Sequence, residues 1–196
     1  MIIARLLTTG FSWIFLGCIL SVPTIASTLY DAQSAYSAGN YAKAFEVYTK
    51  LAKKNNAQAQ LSLGVMYSLG QGVTQSYEIA AKWFKKSAKS GNILAQNILG
   101  EMYDLGTGVP QDYKIAAKWY RLAAEHGDKH GQYNLGIMYA RGLGMPPDYV
   151  RGYMWLSLSS RAPDELKLLT RQMTSNQIAE ARALAMQCST NQFKAC

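Results

Sequence analysis

Proline is scarce in this sequence, with five in 196 residues. That scarcity argues against a fold of many short strands and tight turns, and for helices. Charge is also sparse, at 16% of residues, but nearly half the chain is hydrophobic. The composition therefore excludes a disordered chain. Histidine is limited to His126 and His130, four apart like two ligands on one helix, with no cysteine or third histidine nearby. Gly127 and Asp128 between them mark a turn, so the two rings need not share a face. No serine is set against a histidine and an aspartate in a recognisable order, and no cofactor motif is present, so no catalytic set or cofactor is expected. A long apolar run is missing too. The span Leu6–Val22 is 17 residues and contains Thr8, Thr9 and Gly10, short of the roughly 20 apolar residues of a membrane-crossing helix.

That short run has a reading of its own. Arg5 precedes it, Phe11–Val22 is apolar up to Pro23, and Thr24 and Ala26 place small residues three and one positions before a cleavage point. This is the layout of a secretory signal peptide over 1–26, with the mature chain starting at Ser27 and residing in the periplasm or outside the cell. Two alternatives stay open: an uncleaved anchor, and a lipoprotein acylated at Cys18. After cleavage Cys188 and Cys196 are the only cysteines left, and an exported chain lets them pair. The loop they close is small and would stabilise by about 2–3 kcal/mol at most.

The glycines are plentiful and periodic. "LGQGVT" at 69–74, "LGTGVP" at 105–110 and "GLGMPP" at 142–147 look like the start of a phosphate-cradling loop, but none is followed by the Gly-Lys-Ser/Thr that reaches phosphate. Their spacing explains them better. Residues 57–92 and 93–128 align without a gap at 19 of 36 positions, where unrelated segments would agree at roughly two. Residues from 129 continue the register through Leu135, Gly136, Met138, Tyr139, Gly142, Gly144, Tyr149 and Trp155. Each 36-residue unit reads as two helices joined by the Gly-x-Gly turn. Ala59, Leu63 and Tyr67 fall on one face of the first helix, and Gly64 lets its partner approach. Gly70 and Gly72 supply the positive φ of a cap and reversal. Asp112 and Asp148 are expected in the first turn of the second helix, whose buried side carries Ala80, Trp83 and Ala88.

This motif of Leu-Gly, Tyr, Gly-x-Gly, Trp and paired alanines resembles the Sel-one-like repeat (SLR) family, a relative of the tetratricopeptide solenoids. The resemblance implies an all-α, right-handed alpha-alpha superhelix of 36-residue helix-turn-helix repeats with helical caps. The units expected are 57–92, 93–128 and 129–161. An N-terminal capping helix pair is expected over 27–56, turning at Gly39 and burying Tyr48. C-terminal capping helices over 162–196 start at Pro163 and at Thr174, whose spacing to Gln177 is that of a capping box. Ser76, Gly131, Met145 and Gly152 depart from the pattern, so the last unit is expected to pack less tightly.

In solenoids of this kind first helices line a concave groove. The stripe offset from the core comprises Gln58, Leu61, Val65 and Ser68, then Leu94, Asn97, Glu101 and Asp104, then His130, Tyr133, Ile137 and Ala140. These positions differ between units, as positions that meet different parts of a ligand would; drift without function is the other explanation. The lysines of the second helices, among them Lys82, Lys85, Lys86, Lys89, Lys114 and Lys118, form a basic face expected to be solvated, with weak contact to anionic lipid open. An exported chain is not expected to meet nucleic acid. The function expected is an exported scaffold that binds a protein or peptide in the groove. The alternatives are a purely structural envelope protein, and a penicillin-binding or β-lactam-hydrolysing enzyme. Family members described in that last role carry a cysteine pair in each repeat, and this chain does not.

Overall fold

The computed structural model describes residues 25–194 and 196. Of the leader expected over 1–26, all but Ile25 and Ala26 lie outside the described residues. Among the described residues ten helices follow one another: α1 Ile25–Ser37, α2 Tyr41–Lys53, α3 Ala57–Leu69, α4 Tyr77–Lys89, α5 Ile93–Leu105, α6 Tyr113–Glu125, α7 Lys129–Arg141, α8 Tyr149–Ser159, α9 Pro163–Thr170 and α10 Ser175–Thr190. No strand occurs among the described residues. None of these ten helices, among the described residues, is long and apolar enough to cross a membrane. Helices α1 to α9 pack chiefly on their sequence neighbours and α10 folds back on α8, which makes the molecule a solenoid whose core is a chain of linked clusters rather than one centre.

Capping recurs with the repeat. The side chains of Asn56, Asn92 and Asp128 accept hydrogen bonds from the third residue of α3, α5 and α7, at 2.8, 2.9 and 2.8 Å. Ser76, Asp112 and Asp148 do the same for α4, α6 and α8, at 3.3, 2.9 and 2.8 Å. The two aspartates expected inside the first turn are thus the caps themselves. Ser76 is an equivalent cap, which is why serine is tolerated there. Thr174 and Gln177 form the capping box, and Pro163 opens α9.

The two glycines of each turn do different work. Gly70, Gly106 and Gly142 end the first helices at φ of 70, 73 and 70°, the left-handed cap that lets the last carbonyls find donors. Gly72, Gly108 and Gly144 press on the start of the preceding unit's second helix. A Cβ on Gly108 would lie 2.4 Å from the carbonyl carbon and oxygen of Tyr77, and one on Gly144 2.6 Å from the carbonyl carbon of Tyr113. The second glycine therefore belongs to repeat stacking.

Within a unit, Gly64, Gly100 and Gly136 receive Phe84, Tyr120 and Leu156, whose ring or branch atoms come 2.5–2.7 Å from where a Cβ would stand. This corrects the expectation for the tryptophans. The residue after each one is the knob inside its own unit, and the indoles point back to the unit before. Trp83 packs on the cluster of α1–α3 and Trp119 on that of α3–α5, both half-buried, while Trp155 is 0% exposed. The third unit is not looser, either. A Cβ on Gly131 would meet the Ala124 nitrogen at 2.9 Å, and one on Gly152 the Ala140 nitrogen at 3.1 Å. Glycine for alanine has drawn the helices together instead of leaving space.

A third recurring device lies between units. Gln60, Gln96 and Gln132 are buried, and each donates its side-chain amide to the carbonyl of Ala52, Ala88 or Ala124, at 3.2, 3.2 and 3.4 Å. These carbonyls belong to the last turn of the preceding second helix and also accept the N–H of Asn55, Gly91 or Gly127, at 3.1, 3.1 and 2.9 Å, so the glutamine fills a second lone pair. Replacing Gln96 by alanine is expected to cost about 1 kcal/mol, because the Ala88 carbonyl keeps the Gly91 N–H and loses only its second donor. Chemical denaturation of the variant checks it.

At the N-terminus, Gly39 turns the chain at φ 76° and Tyr48 is buried. At the C-terminus, Cys188 and Cys196 are joined in a disulfide with their Cα atoms 5.5 Å apart. The reversal between them runs through Gln192 and Phe193, both at positive φ, and the Phe193 N–H returns to the Cys188 carbonyl at 2.9 Å. Phe193 and Cys196 pack against the cluster that holds Trp155, so the tail covers the third unit.

Candidate binding groove

Three clefts lie in sequence along the first helices. The first, of about 120 Å³, is bounded by Tyr36 and Tyr48 and by Gln58, Leu61, Ser62 and Val65 of α3. The second, of about 340 Å³, takes Val65, Ser68 and Leu69 of α3 on one side and Ile98, Glu101, Met102 and Leu105 of α5 on the other, with Tyr77 and Phe84. The third, of about 470 Å³, has Glu101, Asp104 and Leu105 of α5 facing His130, Tyr133 and Asn134 of α7, with Tyr120 and Arg161 completing it. Val65 is shared by the first two, and Glu101 and Leu105 by the last two. The clefts are therefore contiguous.

The expected stripe is only partly assembled there. Gln58, Leu61, Val65, Ser68, Glu101, Asp104, His130 and Tyr133 line clefts. Leu94 is 57% exposed and lines none of the three. Ile137 and Ala140 pack against the C-terminal cluster that includes Leu166 and Leu169, so α9 closes the groove over the end of α7. Leu61 lines the first cleft from beneath. It is 5% exposed and packs in the cluster with Ala95 and Leu99 of the next unit. Asn97, at the equivalent position, donates to Asp128 Oδ1 at 2.6 Å, and Tyr133 donates its hydroxyl to Glu165 Oε1 at 2.8 Å. All three reach forward to whatever follows them, so this position varies because its neighbour varies.

Several lining residues carry no signal in the periodic pattern read as core. Leu69 and Leu105 are 58% and 65% exposed at the cleft mouths. They repeat in the alignment yet fall off the buried face, and that combination could have marked them. Tyr120, beside the conspicuous Trp119, lies with its ring on Gly100 and reaches the third cleft. Arg161 comes from the turn before α9, at the end of the third unit.

The third cleft is electrically divided. Burial raises the Asp104 carboxyl above its ordinary range. Burial first, and then the charges of Asp104 and Glu101, push the Tyr120 hydroxyl far up, so it stays a neutral donor. Across from them the Arg161 guanidinium donates to His130 Nε2 at 2.8 Å, which requires a neutral imidazole with its proton on Nδ1. The donated hydroxyl of Tyr133 holds the Glu165 carboxyl below its usual value. His126 is engaged elsewhere, with its Nδ1 2.6 Å from the Leu122 carbonyl at the end of α6. Among the described residues no group of three His, Cys, Asp or Glu side chains is placed to hold a metal ion. The lysines of α2, α4 and α6 are exposed. The arrangement offers shape, apolar area and charge, the means of recognition.

The family model described as Sel1 repeat matches residues 57–92, 93–128 and 129–164. Among solved structures, the chain is similar to that of c5321, described as a protective antigen present in uropathogenic Escherichia coli strains and displaying an SLR fold. The identity is 30% and the TM-score 0.73, over 86% of this chain and 39% of that one. It is also similar to a Sel1 repeat protein from Oxalobacter formigenes, at 29% identity and a TM-score of 0.64, over 72% of this chain and 58% of that one. The chain thus spans less than two thirds of either neighbour. No curated protein matches its sequence.

Proposed function

We propose, from the premise that this chain belongs to the Sel1 repeat family, that it is an exported scaffold whose concave groove binds a segment of a protein partner. One observation carries the reading: the contiguous clefts of α3, α5 and α7 change chemistry from one to the next, while the core beneath them repeats. The first two are mostly apolar and aromatic, and the third is polar and charged. A repeating core is what stacking requires. Unlike clefts on top of it suit a partner whose successive side chains differ. The leader-like layout of 1–26 and the disulfide support export, as does the similarity to a protein described as a protective antigen.

Photo-crosslinking in the native host tests the face as well as the role. A photoreactive residue at Leu105, in the groove, should yield a discrete adduct with a partner protein. The same residue at Lys85, on the exposed lysine face, should not. Adducts from position 85 alone would move the binding face to the second helices.

A further inference from the structure

We infer that the groove selects a segment with a bulky apolar side chain for the second cleft and, three positions away, a lysine or arginine for the third. This rests on the groove reading above and adds to it the chemistry of the occupant.

The second cleft suits the apolar side chain. Its floor is Phe84 and Met102, both buried, and its mouth is formed by Leu69, Leu105 and Tyr77, exposed at 58, 65 and 46%. Large apolar side chains left open around a concave floor lose area to water that an inserted side chain would recover. The cationic half stands on two independent observations. Glu101 and Asp104 line the third cleft with no ion partner, since the salt bridges among the described residues are Lys50–Glu46 and Arg151–Asp148. Tyr120, 1% exposed, lines the same cleft, and its hydroxyl makes no hydrogen bond among the described residues. The ring is enclosed but its oxygen is not among the fully buried unpaired atoms, so it opens onto the cleft, where a polar group of a bound segment can reach it. An ammonium or guanidinium between Glu101 and Asp104 would place its own charge against both carboxylates and leave a donor or carbonyl of the segment within reach of that oxygen. Arg161, tied to His130 on the opposite wall, confines a cation to the α5 side.

The spacing follows from the helices. Adjacent first helices stand about 10 Å apart. A polyproline II segment rises about 3.1 Å per residue and returns a side chain to the same side every third one, so residues i and i+3 meet neighbouring clefts.

The test has two stages, on the whole mature chain. A random peptide library displayed on phage is first selected against the protein. Failure to enrich any peptide that the Leu105→Arg variant loses would count against groove binding itself. Enriched groove binders without the apolar and basic pair would overturn this inference and leave the groove reading standing. In the second stage, acetylated and amidated peptides containing Leu-Pro-Pro-Lys, Leu-Pro-Pro-Glu or Ala-Pro-Pro-Lys are titrated by calorimetry. The first should bind at least about tenfold more tightly than either of the others. Glu101→Gln with Asp104→Asn should erase the preference for Lys over Glu, and Tyr120→Phe should weaken the first peptide alone. Lys85→Ser with Lys89→Ser should change nothing. Equal affinity for the Lys and Glu peptides would overturn the proposal, as would retention of the preference in the double variant.

Discussion

Gly108→Ala will cost about 4 kcal/mol and lower the melting temperature by roughly 10 °C. Two terms add. The backbone sits at φ 70°, which costs a residue with a Cβ about 1–2 kcal/mol. The new Cβ would also stand 2.4 Å from the Tyr77 carbonyl. Backbone on both sides leaves nothing flexible to move, so the units must part, at about 1–3 kcal/mol. Gly91 separates the terms. Its φ is 84° but a Cβ there would meet nothing within 4 Å, so Gly91→Ala should cost only about 1 kcal/mol. Thermal unfolding of the two variants side by side measures the stacking contribution as their difference. Equal losses would mean that the second glycine serves the turn alone.

Trp155→Ala should lose about 4 kcal/mol, the range for a fully enclosed aromatic. The indole is 0% exposed, under the tail that the disulfide holds. Its Nε1 is buried without an acceptor, so Trp155→Phe gives up volume but also removes a cost of about 1–3 kcal/mol. That variant should lie within about 1.5 kcal/mol of the parent. Trp119→Ala, at a half-buried position, should lose about half as much as Trp155→Ala. Denaturant titration of the three variants checks the order. A phenylalanine variant as damaged as the alanine one would show that the indole N–H has an acceptor after all.

The architecture was legible because packing repeats when sequence repeats. Leu63, Leu99 and Leu135 announce one buried position three times, and Gly64, Gly100 and Gly136 one close approach. Pattern could not say which large residue fills that approach, because Trp83 and Phe84 are adjacent and equally apolar. The choice depends on the rotation of α4 against α3, which is a tertiary quantity. The groove was legible in part for the same reason. Variation between units identifies positions that escape the core rule, but it does not distinguish a residue that meets a ligand from one that meets the next unit. Asn97 and Tyr133 vary because Asp128 and Glu165 lie ahead of them. The covering of Ile137 and Ala140 by α9 lies outside the repeat altogether, so no periodic argument reaches it. Leu69 and Leu105 were visible in the alignment and concealed by their identity, since an exposed leucine looks like a core residue until its face is known.

Amide hydrogen exchange with and without a bound partner segment shows most directly whether the first helices form the binding face. Exchange should slow most in α3 and α5 and in the 70–76 and 106–112 turns, with α4 and α6 little changed beyond any uniform stabilisation. Slowing concentrated in α4 and α6, where Lys82, Lys85, Lys114 and Lys118 are exposed, would contradict it.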